Sequence, residues 1–383
     1  MFDSQKIDAY FNGTKPLSAP EKKTVRSMGV SSRFVKLGFP CIAAAILGVM
    51  MVMPNIKKSM DISDQITLPR KSEMEKLHAE QIVLNTTDNK NRVNKVWADN
   101  MDELEIGSEE IKINNPRAEI ASDDGIISLS ADYGLVNQNT KVLQLNQNVK
   151  AFDEQNNSVQ TANATYEFEQ EYGYGNEKVY ASGDWGTLTA DGFTYDKNKA
   201  ILVLLGNTII NTDKGVLRAE KETHVFPSEK KVVSIGNAVV KHQDNSLFAD
   251  KIINYFSQSG KITLLKTEAF GKVKIVAQKG TATAKRAVYL ADTGTAELFD
   301  DVIISTEKGI AKGSKAVYNS TANTVDLYGN VVLQQGDNFM YGQHVHTDLN
   351  TSISTITADE KQGSRVSGVF YNKRKAENGK KTN

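Results

Sequence analysis

Two histidines are spaced in a way that could bind a metal ion. His344 and His346 are two residues apart, so on a strand both imidazoles would lie on the same face. The chain has one cysteine, Cys41, so neither an intrachain disulfide nor a cysteine-based zinc site is possible within it. We interpret the histidines as solvent-facing strand residues and predict no metal and no cofactor.

Paired carboxylates and aromatic residues could indicate chemistry on saccharides. The pairs Asp123-Asp124 and Asp300-Asp301 could serve a glycoside hydrolase, and Trp185 with Phe193 could form a platform on which a sugar stacks. Both pairs fall at turn positions, where Asp is common for backbone reasons. Trp185 lies at an inward position of the repeat described below, which favours a place in the core. The sequence contains neither a GxxxxGK[ST] loop nor a GxSxG elbow. We therefore predict no catalytic residue and no enzyme.

Charge excludes another class of function. The 383 residues include 46 Lys and Arg and 46 Asp and Glu, which gives a formal net charge of zero. A nucleic-acid-binding protein needs an excess of basic side chains to neutralise phosphates. We therefore predict no nucleic-acid partner.

One apolar segment is long enough to cross a membrane. Residues 34–53 read FVKLGFPCIAAAILGVMMVM, and about 20 helical residues match a hydrocarbon core of about 30 Å. A buried core helix and a cleaved signal peptide are the alternatives, but a polar stretch of more than 30 residues precedes the segment. We predict a transmembrane helix over 34–54, and a slight excess of Lys and Arg before it favours a cytoplasmic tail over 1–33.

The segments that flank the repeats are polar. We predict that 55–110 is a linker, with one short helix near 72–81 and an initial strand near 104–113. The last residues, 359–383, are poor in apolar residues and rich in Lys and Arg. They predict a disordered basic tail.

The most informative pattern is an internal repeat of roughly 30 residues. A two-residue turn or bulge signal recurs between runs in which apolar and polar residues alternate, which is typical of strands. These pairs are Gln147-Asn148, Gly183-Asp184, Gly206-Asn207, Gly236-Asn237, Gly271-Lys272, Asp300-Asp301 and Gly329-Asn330. A second signal follows, a small residue and then a polar one, at Ala190-Asp191, Ala249-Asp250, Ala284-Lys285 and Gly313-Ser314. Each unit is thus two strands and a turn.

Alignment of the units on the pairs separates two strand faces. Positions two and four residues before and after the first member of each pair are mostly apolar, and the other face carries polar residues such as Asp326 and Glu297. We predict that the apolar positions face inward. They are Leu202, Leu204, Ile210, Val232, Val240, Val273, Ile275, Leu298, Val302, Ile304, Val325, Leu327, Val331 and Leu333.

Such units predict an all-β fold. A single hairpin cannot bury its apolar face, so neighbouring units must stack and share a core. We predict an elongated antiparallel β-jellyroll, one or two in number, whose sheet folds over itself. A parallel β-helix is the main alternative, but the variable unit length favours hairpins. The ends of such a sheet offer unpaired backbone groups to another strand, and we expect this near Val331 and Val332.

The anchor and the repeats resemble a known family. An apolar segment followed by repeats of the form VxLxGNVxL…AD…Y is similar to the OstA-like β-jellyroll proteins of lipopolysaccharide export. Residues 30–215 resemble LptC, and 232–356 resemble LptA. The resemblance implies a V-shaped folded sheet, with an LptC-like part over 111–215 and an OstA/LptA-like part over 216–358. The chain is longer than a typical LptC, so it is either an LptC with an extended jellyroll or an LptC–LptA-like fusion.

The resemblance also implies a function and partners. It predicts a single-pass inner-membrane protein, most of which is in the periplasm, that holds the acyl chains of lipopolysaccharide against the inward positions. It implies the inner-membrane transporter subunits LptF and LptG as partners, and an LptA-type bridge protein that docks by edge-strand addition. Two alternatives remain: a membrane-tethered β-scaffold that binds only proteins, and a polysaccharide-active β-helix enzyme.

Overall fold

The structure is a computed structural model, and it describes the part of the chain that carries the repeats. The described residues are 78–87, 93–105, 108–122, 125–137, 139–154, 156–167, 169–196, 198–212, 215–257, 263–351, 353–358 and 365–370. The predicted cytoplasmic tail and transmembrane helix lie outside these ranges. Within these ranges no residue is helical, so they contain no helix that could span a membrane.

The described residues form one antiparallel sheet of 26 strands. The strands of the amino-terminal half are β1 His78–Thr87, β2 Val93–Glu103, β3 Glu110–Asn114, β4 Arg117–Ser122, β5 Gly125–Ser130, β6 Tyr133–Asn137, β7 Val142–Asp153, β8 Ser158–Glu167, β9 Tyr172–Gly175, β10 Val179–Gly183, β11 Gly186–Ala190, β12 Gly192–Asp196, β13 Ile201–Leu205, β14 Thr208–Thr212, β15 Gly215–Ala219 and β16 Glu222–Phe226. Those of the carboxy-terminal half are β17 Lys231–His242, β18 Asn245–Phe256, β19 Leu264–Ala277, β20 Gly280–Leu290, β21 Thr295–Thr306, β22 Gly309–Asn319, β23 Thr324–Gln335, β24 Asn338–Asp348, β25 Ile353–Thr357 and β26 Ser367–Val369.

In the carboxy-terminal half the sheet is a meander of long strands. From β17 to β24 each strand pairs with the next, and each pairing shifts register near its middle. The shift falls at the repeated pair: between Phe299 and Val302 in β21, and between Tyr328 and Val331 in β23. The pairs in these long strands are therefore β-bulges, which bend a strand and sharpen its twist. Gly183-Asp184 is different, because it lies at the turn between β10 and β11.

The bulges of neighbouring strands form a line across the sheet. In the amino-terminal half, fewer strands run continuously across this line. β7 carries a bulge at Gln147-Asn148, but most other strands end at the line and continue as a separate strand beyond it. One layer contains β3, β6, β9, β12, β13 and β16, and the other contains β4, β5, β10, β11, β14 and β15. Strands β7, β8 and β17 pair with both layers. We call this line of bulges and strand ends the crease.

The residues of the crease have the backbone conformation that its geometry requires. Both members of a pair have positive φ at Gln147-Asn148, Gly236-Asn237, Gly271-Lys272, Asp300-Asp301 and Gly329-Asn330. Gly, Asn and Asp adopt this left-handed region at lower cost than other residues. The repeat signal in the sequence is thus a requirement of the backbone rather than of chemistry.

The inner face of the sheet carries two separate hydrophobic clusters. The first, from Val96 to Leu204, combines residues of both layers, such as Leu145 and Val149 on the two sides of the β7 bulge. The second, from Ala238 to Val345, does the same on the long strands. Because each cluster takes side chains from both sides of the crease, the sheet folds over itself as predicted.

Two predictions for the flanking segments are wrong where the structure describes them. In the predicted linker, 55–110, the sequence HAEQIVLNTT forms β1, which pairs with β2, so 78–103 is a hairpin of the sheet rather than a linker. Residues 78–81 are strand instead of helix, and the strand expected near 104–113 begins only at Glu110. In the predicted disordered tail, β26 pairs with β24. Residues 55–77, 359–364 and 371–383 lie outside the described ranges.

The carboxy-terminal edge of the sheet is also further along the chain than predicted. Val331 and Val332 lie in β23, where β24 covers them, and they pair with Gly342 and Tyr341. The strands β25 and β26 then pair with the two ends of β24. The sequence misplaced the edge because β24 carries no bulge pair of its own.

Candidate functional site

The inner face next to the crease is closely packed. In β21 and β23 the residues two positions from the bulge are Leu298, Val302, Leu327 and Val331, and each is at most 4% exposed. The strands between contribute small residues. A Cβ built on Gly313 would lie 2.8 Å from Cγ of Leu327, so only glycine fits beside that leucine. Large and small side chains therefore alternate across the crease and fill it.

Away from the crease the inner face becomes more exposed in the carboxy-terminal half. The residues four positions from the bulge remain apolar, but they are only partly buried. Ile304 and Leu333 pack against the second cluster on one side of the crease, and Val325 is partly buried on the other. Ile275 and Val240 occupy the equivalent place in β19 and β17 and are also partly buried. The second cluster is thus buried at the crease, and its apolar residues further from the crease are reached by solvent.

In the amino-terminal half the inner face is closed further from the crease. Leu143 and Leu202, the equivalents of Val325, are each 1% exposed. Tyr166, with an exposure of 0%, and Phe193, with 4%, add large rings to this part of the core. The two clusters therefore have the same plan, but on this side of the crease the first is buried where the second is partly exposed.

All the predicted inward residues lie on strands of the sheet, but they divide into two groups. Seven are buried: Leu202, Leu204, Val273, Leu298, Val302, Leu327 and Val331. Seven are partly buried: Ile210, Val232, Val240, Ile275, Ile304, Val325 and Leu333. Sequence reasoning missed the inward residues of β18, β20, β22 and β24, because these strands carry no bulge pair for alignment. They include Leu247, Ile252, Ala282, Ala287, Ala311, Ala316 and Val345.

The two repeat signals of the sequence meet at the crease. Nδ2 of Asn207 donates to Oδ2 of Asp191 at 2.7 Å, so the pair Gly206-Asn207 is bonded to the signal Ala190-Asp191. Nζ of Lys285 lies 2.7 Å from Oδ2 of Asp301, so the pair Asp300-Asp301 contacts the signal Ala284-Lys285 in the same way. Asn148 with Asp132 and Asn237 with Glu220 repeat this contact at 2.8 and 2.6 Å. A polar side chain therefore links each of these four pairs to a neighbouring segment of the sheet.

The outer face beside the crease carries a ladder of aromatic and basic residues. Successive strands pair Phe270 with Arg286, Arg286 with Phe299, Phe299 with Lys315, Lys315 with Tyr328, and Tyr328 with His344. Arg286 lies 5.7 and 5.2 Å from the centres of its two neighbouring rings, and Lys315 lies 5.0 Å from that of Phe299. These are cation–π distances. We call these six residues the outer ladder.

Acidic residues lie beside the outer ladder. Glu268 is 9% exposed, and its carboxylate is within 2.8 Å of Lys266 Nζ and 3.7 Å of Arg286 Nη2. The hydroxyl of Tyr255 donates to it at 3.1 Å. Burial alone would raise the pKa of Glu268, but Lys266, Tyr255 and Arg286 together hold it below its ordinary value. Glu297 and Lys315 form the equivalent pair at 3.2 Å.

The two histidines bind the outer-face aspartate of the adjacent strand. His344 Nε2 and His346 Nδ1 lie 2.8 and 2.9 Å from the same oxygen, Oδ1 of Asp326. Burial acts to raise the pKa of Asp326, but the hydrogen bonds from both histidines outweigh it and lower that pKa. The ring of His344 stacks on Tyr328 with centroids 4.6 Å apart. In the described ranges no group of three or more His, Cys, Asp or Glu side chains is placed to hold a metal ion.

The residues considered for saccharide chemistry have structural places. Asp300 and Asp301 are the two left-handed residues of the β21 bulge, and Asp301 pairs with Lys285. Phe193 is buried in the first cluster, and Trp185 packs against that cluster. The two rings therefore do not form an exposed platform. Asp123 and Asp124 lie outside the described residues.

Two family models match the chain, and they divide it near the place where one cluster gives way to the other. Residues 40–213 match a family described as lipopolysaccharide-assembly, LptC-related. Residues 221–322 match a family described as LptA/(LptD N-terminal domain) LPS transport protein. Both are families of lipopolysaccharide-transport proteins.

Among solved structures, the chain is similar to LptH of Pseudomonas aeruginosa, described as the LptA homologous periplasmic component of the lipopolysaccharide transport device. The identity is 15%, the match covers 46% of this chain and 99% of LptH, and the TM-score of 0.20 is too low to support a conclusion. No curated protein matches the chain. The two family matches and the all-β antiparallel sheet agree: residues 40–213 form an LptC-like region, and residues 221–322 carry repeats like those of the LptA/(LptD N-terminal domain) lipopolysaccharide-transport proteins.

Proposed function

We propose that this chain is an inner-membrane-anchored periplasmic component of lipopolysaccharide export that holds lipid acyl chains on the inner face of β17–β25. The observation that carries the proposal is the change in burial across this face. The apolar residues next to the crease are buried, and those further from it, such as Ile304 and Leu333, are partly exposed. Partly exposed apolar walls beside a filled base suit a bound acyl chain better than a dry core does.

Energetics support a continuous apolar path. Each methylene removed from water contributes about 0.8 kcal/mol, so a chain of about twelve carbons contributes roughly 10 kcal/mol. A lipid with several chains therefore cannot cross an aqueous compartment unaided at a useful rate. Repeated strands that offer similar apolar positions let the lipid move without a large barrier at any one step. The energy for directed transport must come from partners, because the sequence contains no phosphate-binding loop.

Photo-crosslinking at two adjacent isoleucines tests the lipid-binding proposal. Ile304 lies on the inner face, and Ile303 lies on the outer face of the same strand and is 37% exposed. A photoreactive residue at position 304, or at Leu333, should form an adduct with lipopolysaccharide, while one at position 303 should not. Equal labelling of 303 and 304 would contradict the proposal and favour a scaffold that binds only proteins.

We further propose that the anchor is the apolar segment 34–54, with 1–33 in the cytoplasm and the sheet in the periplasm. The length of the segment and its match to a bilayer core support this. Deletion of 34–54 should move the chain from the membrane to the soluble fraction. Retention of the deleted chain in carbonate-washed membranes would contradict the proposal.

We propose that the chain receives lipid from LptF and LptG and passes it to an LptA-type protein that adds a strand at β25. β25 pairs with β24 on one side, and its first residue, Ile353, is 64% exposed. Such strand edges offer backbone groups to a further strand. Some β25 residues direct their backbone N–H away from β24. Substitution of such a residue by proline should leave the thermal midpoint unchanged but reduce co-purification of the LptA-type partner, because it removes a donor from the free edge. Full co-purification with all β25 proline variants would contradict this docking mode.

A further inference from the structure

Two hydroxyl residues interrupt the apolar inner face near the place where the two clusters meet. Leu204 and Ser234 each lie two positions before a repeated pair. By register, Leu204 pairs with Thr223, Thr223 with Ser234, and Ser234 with Ile252. Leu204 belongs to the first cluster and Ile252 to the second. Thr223 and Ser234 are both 0% exposed. A pair of polar side chains is therefore enclosed between two apolar ones.

Neither hydroxyl has a partner among the described residues. Thr223 Oγ1 and Ser234 Oγ make no hydrogen bond. A second polar pair nearby behaves differently: Thr267 Oγ1 donates to Asn254 Oδ1 at 2.8 Å, and both residues are at most 7% exposed. Buried polar groups in proteins are nearly always hydrogen-bonded, and an unpartnered one needs an explanation. Valine and alanine would fill these two positions without that cost.

We infer that Thr223 and Ser234 form a specificity-determining site that receives the hydroxyl group of a hydroxylated fatty acyl chain. The inference rests on the proposed function, because it requires acyl chains on the inner face. An alcohol both donates and accepts a hydrogen bond, and two adjacent protein hydroxyls can accept from it and donate to it. Paired residues on adjacent strands have Cβ atoms about 5 Å apart, so one small group can reach both.

The surroundings select a neutral group. On the inner face, Leu204 pairs with Thr223 on one side and Ile252 pairs with Ser234 on the other, and each is 0% exposed. A carboxylate or phosphate placed there would be a buried charge among apolar side chains, which is strongly unfavourable. Val225 and Val232 pair on the same two strands, further from the crease, and are only partly buried. An acyl chain that enters from this more exposed side would displace them to reach the two hydroxyls.

Binding of two fatty acids that differ by one hydroxyl tests the inference. The full chain in mild detergent is titrated with tetradecanoic acid and with 3-hydroxytetradecanoic acid, both as uncharged methyl esters so that no carboxylate enters the buried site, and the ratio of the two affinities is compared with that of the variant T223V/S234A. The two esters partition differently into detergent, but this effect is the same for wild type and variant and cancels when the two ratios are compared. One satisfied hydrogen bond corresponds to a roughly fivefold to tenfold preference. We expect the preference for the hydroxy ester to be larger in the wild type than in the variant by that factor. Wild type and variant should bind the tetradecanoic ester equally.

The same variant has a second readout and a control. If the hydroxyls serve a ligand, their removal should leave the thermal midpoint unchanged or raise it, because an unpartnered polar group is lost. Thr283, which pairs with Ile303 on the outer face, gives the control T283V, which should keep the wild-type ratio. Equal ratios in wild type and T223V/S234A, with both esters bound, would overturn this inference alone. Failure of the wild type to bind either ester would overturn the proposed function as well.

Discussion

At the scale of the residue, most polar side chains that suggested chemistry instead hold neighbouring strands together. Asp326 receives both histidines, and Asp301 receives Lys285. These two contacts differ in their surroundings. The side chain of Asp326 is 23% exposed, whereas those of Asp301 and Lys285 are 75% and 68% exposed. Because solvent weakens exposed ion pairs, the two aspartates should contribute differently to stability.

The variant D326N tests this difference. It keeps the shape of the side chain but removes the charge that His344 and His346 bind, so it should lower the free energy of unfolding by about 1–2 kcal/mol. Urea unfolding measures the loss. The matched variant D301N should leave the unfolding midpoint unchanged. An equal effect of the two substitutions would contradict the assigned role of Asp326.

Acid should destabilise the fold through Glu268. Its pKa in the folded protein lies below the ordinary value, so the folded state favours the ionised form. The stabilisation is therefore fully present above the unfolded pKa, about 4.3, and is lost as the pH falls through the lowered folded pKa. The urea midpoint should fall below about pH 4, and E268Q, less stable at pH 6, should show a shallower fall. A parallel pH profile for wild type and variant would exclude Glu268 as a cause.

At the scale of the element, the bulge is what lets a long strand serve two layers. Each of these bulges contains two residues with positive φ, and a polar side chain of a neighbouring strand contacts it, as Lys285 contacts Asp301. On the outer face, the outer ladder then crosses the strands one position before the bulge. The inner face thus bends toward itself, while the outer face is covered by ring–cation contacts.

Substitution at the last bulge tests whether left-handed backbone is required. Asn330 has a φ of 48°, which a β-branched residue adopts only with strain. N330V should reduce the free energy of unfolding by about 1–3 kcal/mol, and N330G should have little effect, since glycine tolerates this region. Thermal unfolding of both variants distinguishes conformation from side-chain contact. Equal losses in N330V and N330G would mean that the Asn side chain, not φ, matters.

At the scale of the molecule, the chain has two hydrophobic clusters on one continuous sheet. The first is centred on residues such as Leu143 and Tyr166, and the second on residues such as Leu298 and Leu327. The hydroxyl pair Thr223 and Ser234 lies near their boundary. Separate cores connected mainly by strand pairing should unfold as separate cooperative units.

Core truncations test this division. L143A and L327A each remove a buried leucine, which costs about 2–5 kcal/mol in the unit that contains it. Scanning calorimetry should show two transitions, of which L143A lowers one and L327A the other. A single transition that both substitutions lower equally would show that the sheet is one cooperative unit.

The sequence by itself determined the strands, the bulges and the inward face, because each depends on local properties. Alternation of apolar and polar residues fixes which side chains share a face, and Gly, Asn and Asp mark positions of left-handed backbone. These signals correctly placed Leu298, Val302 and Leu327 in the core. They failed for 78–103, where the apolar alternation is weak and pairing with the rest of the sheet decides the strand.

The tertiary structure alone decided which residues meet across strands. Contacts such as Asn207 with Asp191 or Asp326 with His344 depend on strand register, and register follows from the pairing of distant segments. It also decided how open the inner face is. Leu202 and Val325 have equivalent places in the repeat, yet the first is buried and the second only partly buried, because rings such as Phe193 fill only the first cluster. Burial is a property of everything that packs around a residue, and no single repeat encodes it.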